Sequence, residues 1–264
     1  MVHLTLSENL LWWLGIGLKF LLCGLVFYRR LYRRLPFFSL YVVLLVVEVT
    51  VVWWVYRVWG YRSFPAWYTY WWASAVVLFA RARAVAELCW TSLRTYPAIW
   101  PWVRRLLSLI ALLALSYAAF TALRTSSSPL ATFVLASERA LEIAFAGILV
   151  ALVGFGARYM AVLGPVERSI VIGLGVYSGF QVINNTFMQE WMSRYFHWWV
   201  SMRVIAFDIA MLVWIVPLRK ALPPAEAGRT LISENAAIRL LRELLASMRE
   251  ITEELKRIAR SKWK

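Results

Sequence analysis

Apolar residues run along this chain in long blocks, not in alternation. A membrane-crossing helix needs about 20 predominantly apolar residues. Seven stretches qualify: 10–28, 37–56, 66–93, 101–123, 130–157, 169–189 and 197–217. Polar punctuation separates them. Arg29-Arg30-Leu31-Tyr32-Arg33-Arg34 closes the first, and Thr125-Ser-Ser-Ser-Pro129 precedes the fifth. Pro36, Pro65 and Pro101 open the second, third and fourth. Proline suits a first helical turn, where its missing N–H would be unpaired anyway. The pattern predicts an all-α, polytopic membrane protein with seven transmembrane helices over residues 1–220. An odd number of spans puts the two chain ends on opposite sides.

The pattern changes after the seventh stretch. Pro223, Pro224 and Gly228 make 221–230 a linker that cannot continue a helix. From 231 to 264 the chain is charged and periodic. Ile238, Leu241, Leu245, Met248 and Leu255 form an apolar seam, with Thr252 between the last two. This predicts a cytoplasmic amphipathic helix of about three heptads. It can pair with copies of itself in a homo-oligomer, dock on the inner membrane surface, or bind a cytoplasmic protein partner. The tail is too short to hold a catalytic domain.

Composition agrees with the blocks. The 264 residues are 62% hydrophobic and 16% charged, with a mean hydropathy of +0.64. Soluble domains hold about 45–50% apolar and about 25% charged residues. A soluble globule, a disordered chain and a secreted disulfide scaffold are therefore excluded. Cys23 and Cys89 both fall inside apolar runs and read as core residues.

The net charge is +15, from 29 Lys and Arg against 14 Asp and Glu. The cations flank apolar runs, which is the pattern of loop charges that orient a membrane protein, not of a nucleic-acid binder. With the N-terminus outside, the inner connections hold Arg29, Arg30, Arg33, Arg34, Arg94, Arg104, Arg105, Arg158, Arg168, Arg219 and Lys220. The outer ones hold only Arg57, Arg62, Arg124 and Arg194. The bias predicts N-outside, C-inside. No basic stretch opens Met1 to Asn9, so the first span reads as uncleaved. Trp and Tyr gather near the span ends, where their amphipathic rings anchor at the interface. The run from Trp67 to Trp72 holds more aromatics than anchoring needs, so an aromatic ligand pocket is a second reading there.

Leaving aside Arg104 and Arg105, counted with the inner connections, ten charged residues fall inside the spans. Lys19, Arg81, Arg83, Arg139 and Arg203 face Glu48, Glu87, Glu138, Glu142 and Asp208. Unpaired charge at the bilayer centre is costly, so equal numbers of each sign point to pairing inside the bundle. Arg83 and Glu87 have the spacing of a local pair, as do Arg139 and Glu142. Glu138 and Glu142 share a face, so one needs a cation from another helix, and Arg81 is the choice. Lys19, Glu48, Arg81, Glu138, Glu142, Asn184, Arg203 and Asp208 are the candidate ligand or ion-path residues. Gln181 and Asn185 add uncharged polar groups. Their role is a packing network, an outward polar ligand cavity, or an ion path. The glycines at 147, 154, 156, 173, 175 and 179 suit close helix approach.

Several chemistries drop out. A retinal Schiff base needs a lysine in the seventh span, four residues after an aspartate such as Asp208, and that position is Leu212. His3 and His197 are the only histidines, which excludes a histidine-rich metal site. Ser178-Gly179 lacks the spacing of an intramembrane serine protease. No phosphate-binding loop, dinucleotide fingerprint or paired-cysteine motif occurs. The chain reads as no enzyme, with no cofactor and no metal.

Three stretches carry a resemblance: Tyr68-Thr-Tyr70-Trp-Trp with Glu87 downstream, Tyr96-Pro97, and Ser137-Glu138-Arg139. Together they resemble a group of uncharacterised seven-helix integral membrane proteins of acidobacterial type. The resemblance implies the topology and brings no activity. More loosely, the layout is similar to the seven-helix sensor modules of bacterial signalling proteins. The expectation is a receptor-like sensor in the bacterial inner (cytoplasmic) membrane. An outward-facing polar cavity between spans two, three, five, six and seven would be coupled to the tail. The alternatives are an oligomeric ion channel or transporter, and an accessory subunit of a membrane complex.

Overall fold

The computed structural model describes residues 6–94, 99–124, 128–159, 164–190 and 196–219. All the regular structure in them is helical: α1 (Leu6–Tyr28), α2 (Pro36–Trp59), α3 (Phe64–Leu93), α4 (Trp100–Arg124), α5 (Pro129–Tyr159), α6 (Pro165–Glu190) and α7 (Phe196–Arg219). A single 3-10 turn, Leu31–Arg33, joins α1 to α2. Each apolar stretch is thus a helix, extended by a few interfacial residues. Three of them, α1, α2 and α4, are long and apolar enough to cross a membrane by length and composition alone. The 231–264 segment and its seam lie outside the described residues.

Short connections make successive helices antiparallel. The bundle therefore has an N-terminal end, where α1 starts, and a C-terminal end, where α7 finishes. Helices α1, α2, α3, α5, α6 and α7 pack in that order, and α7 closes back on α1. This gives a six-helix ring. α4 stands outside it, packed along α5 and touching α3 only lightly. Its contact face explains this. Ala114, Ala118 and Ala122 are its buried residues, a narrow stripe of small side chains at i, i+4, i+8. Leu106, Leu109, Leu112, Leu113, Phe120 and Leu123 are exposed.

The interior is divided along its length. Toward the C-terminal end it is apolar. Leu22, Val26, Leu35, Phe38, Leu88 and Trp214 are buried there, with Ile170, Leu174 and Met211 from α6 and α7. Trp214 packs edge-on to Phe38, ring centroids 5.6 Å apart, and its indole N–H donates to the Ile170 carbonyl at 3.3 Å. Gly173 makes room for it, since a Cβ at that position would overlap the Trp214 indole. Close approach at glycine is realised there and, at ordinary contact distance, at Gly175 against Leu149. It is not realised at Gly147, Gly154 or Gly179, where an added Cβ meets open space. Those three glycines lie on faces that no neighbouring helix covers closely.

Charged side chains finish the helix ends at the C-terminal side. The Glu87 carboxylate accepts from the Phe37 and Phe38 N–H groups at 3.1 and 2.8 Å, capping α2 from across the bundle. Arg29 donates to the Leu218 and Arg219 carbonyls at 3.0 and 2.6 Å, capping α7. Arg34 pairs with Glu167 in the first turn of α6 at 2.8 Å. The expected Arg83–Glu87 pair does not form. The α2 N-terminus takes the carboxylate instead, and Arg83 lies over the Phe37 ring at 4.5 Å. At the other end Ser63 caps α3 by accepting from the Ala66 N–H at 3.2 Å.

Candidate functional site

The polar interior sits in the half of the ring nearer the N-terminal end. At about 1.5 Å per residue, Glu138, Glu142, Arg203 and Asp208 lie roughly 10–20 Å from that end. Two ion pairs cross between helices. Arg81 of α3 pairs with Glu142 of α5, both fully shielded from solvent. Arg203 of α7 pairs with Glu138 of α5 at 3.0 Å. The like-charged neighbours on α5 thus each find a cation on a different helix, and Arg81 is the partner expected for Glu142. Arg139, the local alternative, is not the residue that Glu142 pairs with.

Neutral groups knit the two pairs together. Gln181 donates to Glu138 at 3.3 Å and to the Tyr177 hydroxyl at 3.1 Å. The Arg81 guanidinium lies over Tyr177 and Phe145, at 5.3 and 5.7 Å from their centroids. Cation–π contact of this kind spreads the guanidinium charge over rings already buried. Tyr41 of α2 is buried within electrostatic reach of Arg81.

A second group lies between α1, α2 and α7. Lys19 stands within electrostatic reach of both Glu48 and Asp208, with its ammonium 5.6 Å from the Phe207 ring centroid. Glu48 accepts from the Ser74 hydroxyl at 3.5 Å. Asp208 reaches α1 at Gly15, where a Cβ would sit 3.1 Å from its Oδ1. Both Asp208 oxygens are buried without a hydrogen-bond partner among the described residues. So is the Oδ1 of Asn184. The Asn185 side chain lies outside the described residues.

The eight candidate residues therefore fall inside the ring, in two neighbouring groups, with Asn184 buried on α6. Ser74, Tyr41 and Tyr177 belong with them, yet they look like ordinary span residues in the sequence. Only the pairing of helices brings them to the charges.

Two hollows among the described residues bear on the sequence reading. A groove of about 380 Å³ runs between α2 and α3, lined by Tyr68, Trp72 and Glu48. This is where the aromatic run of α3 lies. Trp67, Tyr68, Tyr70 and Trp72 are partly surface-exposed, with tilted ring contacts between Trp67, Tyr68 and Trp72, and Tyr68 and Trp72 form one wall of the groove. The larger cavity, about 830 Å³, lies between α3, α4 and α5, where α4 leaves α3. None of the eight candidates lines it. Its walls are apolar, and Arg34, Arg83, Arg94 and Arg104 stand around it toward the C-terminal end. Sequence reasoning counted Arg34, Arg94 and Arg104 only as orientation charges.

No known protein family, characterised protein or solved structure matches the chain. The functional reading therefore rests on the geometry.

Proposed function

We propose that this chain is a seven-helix integral membrane protein of a bacterial cytoplasmic membrane, N-terminus outside and C-terminus inside. In this reading it is a receptor-like sensor, and its layer of interlocked charges is the part that changes state. Three helices are apolar enough to span alone. Charges on α1, α2, α3, α5 and α7 meet inside the ring, which supports counting all seven helices as spans. The lysine and arginine bias supports the orientation.

One observation favours a switch over a conduit. The charge layer ends against the apolar packing of Leu22, Phe38, Leu174 and Trp214. An ion path needs polar groups from face to face, whereas a switch needs two alternative arrangements of a polar layer above a rigid base. α7 is the natural transmitter. It supplies Arg203 and Asp208 to the layer, carries Trp214 in the base, and has its last carbonyls held by Arg29. A ligand shifts such a helix only if it binds the two arrangements unequally. The Asp208 carboxylate, within reach of Lys19 but without a hydrogen bond among the described residues, favours the rival reading, proton or cation transport.

The test uses spin labels at Tyr32→Cys and Val216→Cys, with Cys23 and Cys89 replaced, in lipid nanodiscs. Glu138→Gln, which weakens the hold on Arg203, is expected to add a second label–label distance. The same proteins in liposomes should show no ion or proton flux. A single unchanged distance with lowered stability would make the layer a packing device. Flux abolished by Asp208→Asn would make the protein a transporter.

A further inference from the structure

The cavity between α3, α4 and α5, about 830 Å³, takes no part in the charge layer. Its chemistry is graded along its length. From mid-bundle downward its walls include Leu78, Phe79, Leu107, Ile110, Leu141 and Ile148. Toward the C-terminal end these give way to Arg83, Arg94 and Arg104, with Trp90 and Trp100 in edge contact 4.8 Å apart. Leaving aside Arg83, which lies about seven residues above Trp90 on α3, the apolar depth, the indoles and the Arg94–Arg104 rim follow the order of a leaflet.

The charge at the rim is free to act. Arg94 and Arg104 are exposed and have no acidic partner among the described residues. Arg83 is exposed and rests on Phe37. Arg34, the fourth cation, is paired with Glu167. Glu87 is the acid lining the cavity, and its carboxylate is occupied by the α2 N-terminus. Arg83 stays within electrostatic reach of Glu87, so the rim presents two guanidinium groups without an acidic neighbour among the described residues, Arg94 and Arg104, and guanidinium forks suit phosphate oxygens. Farther in, the buried Ser137 hydroxyl lines the cavity without a hydrogen-bond partner among the described residues. The volume, about 830 Å³, falls in the range of small-molecule sites, about 300–1,000 Å³.

We propose that this cavity is a specific site for one anionic phospholipid of the leaflet facing the C-terminal end. The phosphate sits between Arg94 and Arg104, and an acyl chain lies between α3, α4 and α5. The inference rests on the membrane topology proposed above but not on the sensor role. α4 then acts as the wall that keeps the lipid. Its alanine stripe fixes it on α5 toward the N-terminal end, and its start meets α3 through the Trp90–Trp100 contact at the rim.

Native mass spectrometry of the full chain, released from nanodiscs of mixed phosphatidylglycerol and phosphatidylcholine, tests the site. The wild type is expected to retain one phosphatidylglycerol in preference to phosphatidylcholine. Each cation near a headgroup changes affinity several-fold, so R94Q/R104Q should cut that preference about thirtyfold. Ala111→Trp, which fills the apolar wall, should expel lipid of either kind. Unchanged helicity and melting temperature show that each variant is folded. Soluble glycerol phosphate should neither bind nor compete. The proposal is overturned by equal retention of the two lipids, by indifference to R94Q/R104Q, or by glycerol phosphate binding that survives Ala111→Trp. Retention is read whether or not α7 moves, so loss of the sensor reading leaves this result standing. The topology is checked separately by labelling.

Discussion

A guanidinium and a carboxylate buried side by side in a helical bundle hold each other far more tightly than either holds the fold. The desolvation cost of the pair is large, and mutual attraction offsets much of it. Breaking a buried pair from one side leaves a lone charge, at a cost of about 3–5 kcal/mol. Removing both charges costs much less. Arg81 and Glu142 are such a pair, each with almost no exposed surface. Arg81→Met and Glu142→Leu should each lower stability by about 3 kcal/mol or more. The double variant should recover most of that loss. Unfolding in mixed detergent, read as a double-mutant cycle, measures the coupling. Additive losses would show that the two side chains act independently. The Arg203–Glu138 pair is partly exposed, at 42% and 17% of side-chain surface, and its coupling should be smaller.

At the scale of elements, much was legible and some was not. The seven helices could be read because apolar block length and proline position act locally. The bounds shifted by a few residues because Ser63, Pro165 and their like carry the first turn past the apolar edge. Helix partners could not be read. Glu87 has Arg83 at the right spacing for a local pair, yet the free N–H groups of α2 outbid it from across the bundle. The position of α4 outside the ring has no signature beyond its narrow alanine stripe. The glycines show the same limit. Six small residues all invite close packing, but only a neighbour's side chain decides where it occurs. At Gly173 that neighbour is Trp214, whereas at Gly147 there is open space. Gly173→Ala should push Trp214 from its place and cost about 1–3 kcal/mol. Gly147→Ala should stay within about 0.5 kcal/mol of wild type. Thermal unfolding of the two variants side by side tests this, and equal effects would remove the glycine its special role beneath the indole.

For the whole molecule the decisive quantity is how its charges are distributed over two faces. Charged residues such as Arg81, Glu87, Glu142 and Asp208 interrupt the apolar stretches of α3, α5 and α7. Inside the ring those groups face one another, and the surface left to lipid is apolar, as α4 and the outer faces of α1 and α2 are. In the proposed topology the ring assembles with its charges inward, and all seven helices cross together. Arginine then fixes the direction. The turn between α1 and α2 holds four arginines, while Arg62 is the one basic residue between α2 and α3. A single cysteine at Tyr32 should therefore react with a membrane-impermeant maleimide only after the cells are permeabilised. One at Ser63 should react in intact cells. Both positions lie in connections next to helix ends, and Cys23 and Cys89 are replaced beforehand. The reverse pattern would invert the protein and place the cationic rim on the outer leaflet. Labelling of both sites in intact cells would mean that α2 does not cross, and the ring would then have to bury its charges without a membrane around it.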